Sequence, residues 1–155
     1  DRRSRLLVDR IVELRSVLRR VRRARRFHID AAVILPDHLH MLWTLPPEDH
    51  DFSTRWRLIK GGFSRAIDAG PARSPSRRKK GERRVWQRRF FEHLIRDEDD
   101  FAGHVDYIHY NPVKHGLAAK PTEWPWSTIH RYIAAGIVPR HWGTSGVAND
   151  YDWDV

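Results

Sequence analysis

Length, composition and charge narrow the classes of protein to which this chain can belong. The chain has 155 residues, of which 40% are hydrophobic and none is cysteine, and its net charge is +9. These values suit one domain with one core, and they exclude disulfide bonds, thiolate metal sites and a chain disordered throughout. No apolar run reaches the about 18 residues of a membrane-spanning helix, and the positive charge favours a polyanionic partner, chiefly nucleic acid.

The first third of the chain predicts a helix followed by two strands. Apolar residues recur at helical spacing over residues 4–26 and are expected to face the core: Leu7, Ile11, Leu14, Leu18 and Val21. Arginines fill the other faces of this helix, either as a phosphate-binding surface or simply as solvated charge. Residues 27–35 and 38–45 predict two neighbouring strands, since Pro36-Asp37 breaks the apolar run between them.

A second helix is expected after the loop at residues 46–52. Ser53 or Thr54 can cap it, and it should run to about residue 69 with four side chains inward: Trp56, Ile59, Phe63 and Ile67. Gly61-Gly62 weakens helix propensity and marks a place where backbone or ligand approaches closely.

The second half of the chain predicts a loop, a strand and two helices. Residues 70–84, rich in Pro, Gly, Ser and basic side chains, read as a surface loop, and residues 85–95 read as a strand. The acidic run from Asp97 should begin a helix that ends near Asn111, because Pro112 disfavours helical geometry in the residue before it. A shorter helix is expected after Ser127, and the last dozen residues look irregular.

The order of these elements, α, β, β, α, β, α, predicts the α+β class. We expect one further strand upstream of residue 1, which is Asp and not Met. Together they would give βαββαβ, a ferredoxin-like (RRM-like) antiparallel sheet with helices packed on one face. We expect residues 1–155 to form this single domain.

His38 and His40 form the first candidate site. Residues two apart in a strand share a face, so the two imidazoles can hold a divalent ion, while Leu39 and Met41 should face the core. The alternative is a pair of exposed or hydrogen-bonded histidines without a ligand. Four other histidines have no comparable partner in the sequence and are interpreted as structural: His28, His50, His93 and His130.

Tyr107 and Asn111 form the second candidate site. They are four residues apart, hence on one face of a helix; a tyrosine can act as a covalent nucleophile, and an amide oxygen suits Mg²⁺ or Mn²⁺. His104 lies one turn earlier and could reach the same place. The alternatives are a packed tyrosine ring with an asparagine that ends the helix, or Tyr110 as the nucleophile.

The two candidate sites can converge on one phosphodiester. A metal would stabilise the charge that develops there, and Tyr107 Oη would attack phosphorus and keep the bond energy in a phosphotyrosine. His104 and His109 are candidates for proton transfer. The sequence contains no nucleotide-binding glycine motif.

Four sequence blocks stand out in combination: PDHLHMLWTLP (36–46), FSTRWRLIKGGF (52–63), VWQRRFFEHLIRDEDDF (85–101) and HVDYIHYNPVKHGL (104–117). They resemble the REP-associated tyrosine transposases, domesticated relatives of the single-tyrosine HUH transposases of bacterial insertion sequences. The resemblance covers most of residues 27–142. It implies a fold of the HUH nuclease type and metal-dependent cleavage of single-stranded DNA beside hairpins of repetitive extragenic palindromes, through a 5′-phosphotyrosine.

The resemblance also implies roles for individual residues. His38 and His40 match the HUH pair, Tyr107 matches the nucleophile, Asn111 matches the polar third ligand, and Asp37 stands where the family has an acidic residue with a supporting role. The chain departs from the family by the absence of the first strand and by a longer basic loop at 70–84.

DNA contacts are expected from basic residues flanking the site. The first group is Lys60, Arg88, Arg89 and Lys114, and the second is Arg77, Arg78, Lys79 and Lys80. Any of these side chains can equally be only solubilising charge. Five tryptophans either stack bases or pack in the core: Trp43, Trp56, Trp86, Trp124 and Trp126.

Two other functions remain open at this stage. One is a non-catalytic module that binds single-stranded nucleic acid, and the other is a metal nuclease that uses water instead of tyrosine. We expect the protein to lie in the bacterial cytoplasm, associated with the nucleoid, since no signal-peptide pattern is present. We also expect a monomer, because one tyrosine per site suits a single nick.

Overall fold

The computed structural model of the protein describes residues 5–68, 86 and 91–145. The helices are α1 (Leu6–Asp9), α2 (Ile11–Ala24), α3 (Phe52–Asp68), α4 (Glu98–Lys114) and α5 (Ile129–Ala134), with a short 3₁₀ helix at Pro121–Glu123. The strands are β1 (His28–Ile34) and β2 (Leu39–Thr44). None of the helices in these ranges is long and apolar enough to cross a membrane.

The chain divides into two compact units. The sheet unit comprises Asp1–Asp9, His28–Thr44 and His93–Val155, and the helix-pair unit comprises Arg10–Phe27 and Leu45–Glu92. The expectation of a single domain over residues 1–155 stays a prediction.

In the helix-pair unit, α2 packs against α3. The buried side chains of α2 are Leu14, Val17, Leu18 and Val21, and those of α3 include Ile59, Phe63 and Ile67. These positions recur every three or four residues, so each helix presents one apolar stripe to the other. Trp56 was expected to face inward and is only half-buried.

Two predictions about these helices were wrong in detail. The helix expected over 4–26 is interrupted at Arg10, whose backbone leaves helical geometry with φ −114° and ψ 36°. The second helix begins at Phe52 and is capped by Asp51, whose Oδ1 accepts from the backbone N–H of Thr54 at 3.1 Å. Aspartate is as good a cap as serine or threonine, so the pattern alone did not separate them.

In the sheet unit, β1 and β2 pair antiparallel as expected, with a bulge between Ile29 and Ala31. Val33 lies opposite His40 and Ala31 opposite Leu42. Val33, Ala31 and Leu42 are buried with side chains of α4, including Val105 and Ile108. The face of β2 that carries His38, His40 and Leu42, called here the histidine face, therefore points towards the core.

The expected orientation of β2 was thus wrong. Leu39 and Met41, predicted to face the core, are half-buried on the opposite face. The period of two residues in a strand fixes which side chains share a face, but a helix from elsewhere in the chain decides which face is covered.

The helix α4 begins as expected and ends later than expected. Asp97 Oδ1 accepts from the backbone N–H of Asp100 at 2.8 Å, which caps the acidic first turn. The helix continues through Pro112 to Lys114 and stops at Gly116, which has φ +68°. One lost N–H near a helix end is tolerated, whereas a residue in the left-handed conformation terminates the helix.

The strand expected over 85–95 is absent from the part of it that is described. Residues 91–95 are irregular and Trp86 is a bend, while residues 85 and 87–90 lie outside the described residues. The segment around Ser127 pairs with the edge of β1 that β2 does not occupy, since Val33 and Ser127 form an antiparallel bridge. The loop at 70–84 and nearly all of the last dozen residues also lie outside the described ranges.

Candidate functional site

The histidine pair lies at the start of β2. The rings of His38 and His40 are 5.1 Å apart between centroids and nearly perpendicular. His38 Nδ1 lies 2.6 Å from Asp37 Oδ1, so an N–H at this nitrogen donates to the carboxylate. That hydrogen bond orients the ring and directs Nε2 away from Asp37, as is common for metal-binding histidines.

Tyr107, on α4, packs its ring against His40 of the histidine pair. Its ring centroid is 5.5 Å from that of His40, at an interplanar angle of 84°. The residue is 9% exposed and belongs to the core cluster of β1, β2 and α4. Lys114 Nζ lies 5.0 Å from the centre of the Tyr107 ring and brings positive charge to the same place.

Asn111, one helical turn after Tyr107, is fully buried. Neither its Oδ1 nor its Nδ2 has a hydrogen-bond partner among the described residues. A buried amide without partners is uncommon and costs free energy, so such a group calls for a partner that the described residues do not provide. The amide Oδ1, like the imidazole nitrogens of His38 and His40, is a group that can bind a divalent cation.

His115 is a neighbour of the site that the sequence analysis missed. Its ring centroid lies 5.1 Å from that of His38. A signal was present, since residues 107, 111 and 115 are four apart and lie on one side of a continuous helix. A helix ending at Asn111, as predicted, would not have placed His115 on the same side as Tyr107, whereas the observed helix continues to Lys114.

His104, predicted to reach the Tyr107 site, belongs to a different group of side chains. Its Nδ1 lies 3.1 Å from Asp100 Oδ1, and its ring stacks on that of His93 at 4.5 Å. His93 was interpreted as having no partner and in fact lies 2.7 Å from Asp100 through Nε2. These three residues form a group that could hold a metal ion.

His109, the other candidate for proton transfer, is sealed inside the sheet unit. It is 1% exposed, and its Nε2 lies 2.8 Å from Thr128 Oγ1. Burial, the main cause, lowers its pKa to about 4. A neutral imidazole bound to Thr128 and packed against Tyr132 and Trp142 is a structural residue, and this placement argues against proton transfer to DNA.

Tyr110, the rival nucleophile, packs elsewhere. Its ring lies close to Gly143, where an added Cβ would be 3.6 Å from Tyr110 Cδ2. Tyr107 rather than Tyr110 makes the ring contact with the histidine pair.

The basic residues expected to bind DNA are only partly described. Lys60, in the helix-pair unit, lies 5.9 Å from the centre of the Trp56 ring, and burial lowers its pKa. Lys114 lies at Tyr107. The remaining ones are outside the described residues: Arg77, Arg78, Lys79, Lys80, Arg88 and Arg89.

The tryptophans mostly serve packing. Trp124 is buried and donates its indole N–H to the carbonyl oxygen of Ile34 at 2.9 Å. Trp86 packs edge-on against Phe63 and donates to the carbonyl oxygen of Lys60. Trp56 is half-buried, as are Trp43 and Trp126, and Lys60 Nζ lies 5.9 Å from the centre of its ring.

Known proteins are similar to this chain in sequence and in fold. Residues 1–111 match the family described as "Transposase IS200 like". A REP-associated tyrosine transposase of Escherichia coli K12 is 45% identical over 142 residues, which cover 92% of this chain and 78% of that protein. A putative REP-associated tyrosine transposase of Haemophilus influenzae is 42% identical over 144 residues, covering 92% and 82%.

A solved structure extends the likeness to the backbone. It is the structure of a REP-associated tyrosine transposase bound to a REP hairpin, with a TM-score of 0.84 and 43% sequence identity, over 98% of this chain and 83% of the other. Sequence identity of this level over nearly the whole chain shows that the chain is a member of the same family as these proteins. This chain belongs to the REP-associated tyrosine transposases, within the IS200-like transposase family.

Proposed function

We propose that the protein is a metal-dependent endonuclease and strand transferase for single-stranded DNA, acting at palindromic hairpins of the REP type through a 5′-phosphotyrosine. One observation carries the proposal. Tyr107 stands against His40 of the histidine pair, while Asn111, one turn further along the same helix, is buried with an amide that has no hydrogen-bond partner in the described part of the chain. The relatives named above, one of them bound to a REP hairpin, support the choice of substrate.

His38, His40 and Asn111 would hold the divalent ion, Mg²⁺ or Mn²⁺. Two imidazole nitrogens and one amide oxygen leave positions for water and a phosphate oxygen, as such ions require. When bound, the ion supplies charge stabilisation at the scissile phosphate. Asp37 orients His38 through the 2.6 Å hydrogen bond and is a positioning residue.

Tyr107 is the nucleophile in this proposal. Its Oη forms a bond to phosphorus while the bond from phosphorus to the 3′ oxygen breaks, so the downstream fragment becomes linked to the protein through its 5′ phosphate and the upstream fragment of the same strand ends in a 3′ hydroxyl. The phenol proton is lost and the leaving oxygen gains one. Because a phosphodiester is exchanged for a phosphodiester, a free 3′ hydroxyl can reverse the step and rejoin DNA without ATP.

The packing around Tyr107 serves this step by limiting motion. A ring that is 9% exposed and held between the sheet and α4 has few orientations, so little freedom remains to be lost at the transition state. Lys114, 5.0 Å from the ring centre, adds positive charge where the phosphate must approach.

DNA would be held by basic residues of the chain. We assign phosphate contacts first to Lys60, Arg88, Arg89 and Lys114 and then to the basic run Arg77, Arg78, Lys79 and Lys80. We place the protein at the bacterial nucleoid in the cytoplasm because its proposed substrate is DNA. We also propose a monomer, since one nucleophile suffices for each nick.

The ferredoxin-like arrangement is part of the proposal. The antiparallel pair β1–β2 with α4 on one face supports it, as does the backbone likeness to the transposase structure.

The test is a cleavage assay with a built-in control. A labelled single-stranded oligonucleotide with a palindromic hairpin and flanking bases is incubated with protein and Mn²⁺ or Mg²⁺, and products are separated on a denaturing gel. We expect a metal-dependent band of DNA linked to protein, absent in Tyr107→Phe and present in Tyr110→Phe. The two variants each remove one hydroxyl from the same helix.

Other outcomes assign other functions. Cleavage without a linked band, unchanged by Tyr107→Phe, would identify a nuclease that uses water. Firm hairpin binding without cleavage, independent of metal and of His38 and His40, would identify a binding module.

A further inference from the structure

Two histidines and an aspartate converge at the N-terminal end of α4. His93 precedes the helix, Asp100 lies in its first turn, and His104 follows one turn later on the same face. Their metal-ligating atoms all lie within 4.8 Å of one another. No other group of three such side chains lies so close together in the ranges that the structure describes.

The distances within this group approach those of a metal centre. His93 Nε2 is 2.7 Å from Asp100 Oδ2, and His104 Nδ1 is 3.1 Å from Asp100 Oδ1. Zinc–nitrogen bonds of about 2.0–2.1 Å in a tetrahedron place neighbouring ligand atoms about 3.3 Å apart. These two contacts are about 0.6 and 0.2 Å shorter than that spacing, so Asp100 and the two imidazoles must move apart to admit an ion.

The two rings reach the carboxylate together. They are stacked at 4.5 Å between centroids with an interplanar angle of 17°. His93 Nε2 shares a proton with the Asp100 carboxylate, whereas His104 Nδ1 hydrogen-bonds to the Asp100 backbone carbonyl oxygen at 2.8 Å and lies 3.1 Å from the carboxylate. A cation that binds all three groups replaces those protons, as metals do when they bind histidine ligands.

Burial and charge also suit a cation. The exposed side-chain fractions are 5% for Asp100, 12% for His104 and 21% for His93, so the group is largely withdrawn from water. The hydrogen bond from His93, the largest cause, lowers the pKa of Asp100 to about 2, so the carboxylate is charged at neutral pH.

The surroundings of Asp100 resemble the outer contacts of a metal ligand. The backbone N–H of Arg96 donates to Asp100 Oδ2 at 2.9 Å, and Asp97 fixes the backbone N–H of Asp100 as the helix cap. Such bonds hold a carboxylate in one orientation. The Arg96 guanidinium is also 3.4 Å away, but its side chain is 73% exposed and can turn to solvent when a cation binds.

We propose that His93, Asp100 and His104 form a zinc site, separate in its ligands from the pair His38 and His40. Two imidazole nitrogens and a carboxylate oxygen are the zinc ligands, and water takes the fourth position. The ion ties the segment before α4 to the first two turns of the helix that carries Tyr107. This proposal does not depend on the proposed function.

The test measures zinc binding in a protein that lacks the other histidine pair. The full chain with His38→Ala and His40→Ala is dialysed free of metal and titrated with ZnCl₂ by calorimetry. We expect one saturable site per chain. Adding His93→Ala or His104→Ala should weaken zinc binding by more than the about 10–100-fold that loss of an outer contact typically causes.

A matched control comes from another histidine–aspartate pair in the sheet unit. His28 Nδ1 lies 3.0 Å from Asp30 Oδ1, and this pair is not part of a three-residue group among the described residues. His28→Ala in the same background should leave zinc affinity unchanged. Zinc binding lost with His28→Ala, or kept in full with both His93→Ala and His104→Ala, would overturn the proposal.

A second measurement does not depend on whether a variant folds. Crystals of the unaltered protein soaked in ZnCl₂ and measured at the zinc absorption edge should show an anomalous peak between His93, Asp100 and His104. Absence of density there, with the three side chains still in direct contact, would show that protons alone bridge them and would refute the zinc site.

Discussion

The two adjacent glycines in α3 allow a precise test of how α2 and α3 pack. A Cβ added at Gly62 would lie 2.8 Å from Val17 Cγ1 and 3.0 Å from Arg20 Nη2 of α2. A Cβ added at Gly61 would meet only the guanidinium of Arg65, at 3.2 Å. The first contact involves a buried valine between two helices, whereas the second involves the end of a flexible, exposed side chain.

The expected free energies follow from this difference. Alanine is favoured over glycine inside a helix by about 0.5–1 kcal/mol, and this gain applies to both positions. We expect Gly61→Ala to raise the free energy of unfolding by that amount. Gly62→Ala has the same gain but forces α2 and α3 apart, and overpacking of this kind costs about 1–3 kcal/mol.

The assay is urea denaturation of the two single variants beside the unaltered protein. Because helix propensity cancels between them, the difference in stability isolates the clash and should be about 1–3 kcal/mol, with Gly62→Ala the less stable. At an m-value of about 2 kcal/mol per molar urea, the midpoints should differ by about 0.5–1.5 M. Equal stabilisation by both substitutions would refute the close approach of α2 to Gly62.

Three further predictions concern pH and a buried hydrogen bond. Burial lowers the pKa of His109 to about 4 while the unfolded chain takes up a proton near 6.5, so stability should fall by about 2 kcal/mol from pH 7 to pH 5, measured by urea midpoints. His109→Gln should lessen this fall in stability, and an unchanged fall would show that protonation of His109 is not its cause. The hydrogen bond from Arg55 lowers the pKa of Asp49 to about 2. The stabilisation that the ionised Asp49 gives to the folded protein is therefore complete above pH 3.8 and lost as pH falls towards 2. Asp49→Asn should make acid unfolding, followed by circular dichroism, less steep in that range; an identical profile would contradict the assignment. Trp124→Phe leaves a buried carbonyl of β1 without its indole donor and should cost about 1–3 kcal/mol in urea unfolding, and a neutral effect would show that water takes its place.

Local patterns predicted most of the regular structure. The apolar spacing of α2, the apolar runs of β1 and β2 on either side of Pro36-Asp37 and the acidic start of α4 are each read from a few consecutive residues. The errors arose at boundaries, where several residues can serve the same purpose. Asp51 capped α3 in place of Ser53 or Thr54, and Gly116 rather than Pro112 ended α4.

The candidate site was predicted in its parts and completed by the fold. The spacing of His38 and His40 placed two imidazoles together, and that of Tyr107 and Asn111 placed two side chains on one helical face. Their convergence depended on α4 lying over the histidine face of β2, a contact between segments far apart in the chain. His115 entered the site for the same reason, because the helix continued past the residue where it was expected to end.

The sequence by itself determined the basic charge, the α+β class, the identity of the chemical groups and the family resemblance, since these depend on residue types and short-range spacing. Only the tertiary structure decided which face of β2 is buried, that Asn111 lacks a hydrogen-bond partner in the described chain, and that His93 and His104 share Asp100. The physical reason is that periodicity fixes the relative directions of neighbouring side chains, whereas burial and partnership are set by segments that meet only when the chain has folded.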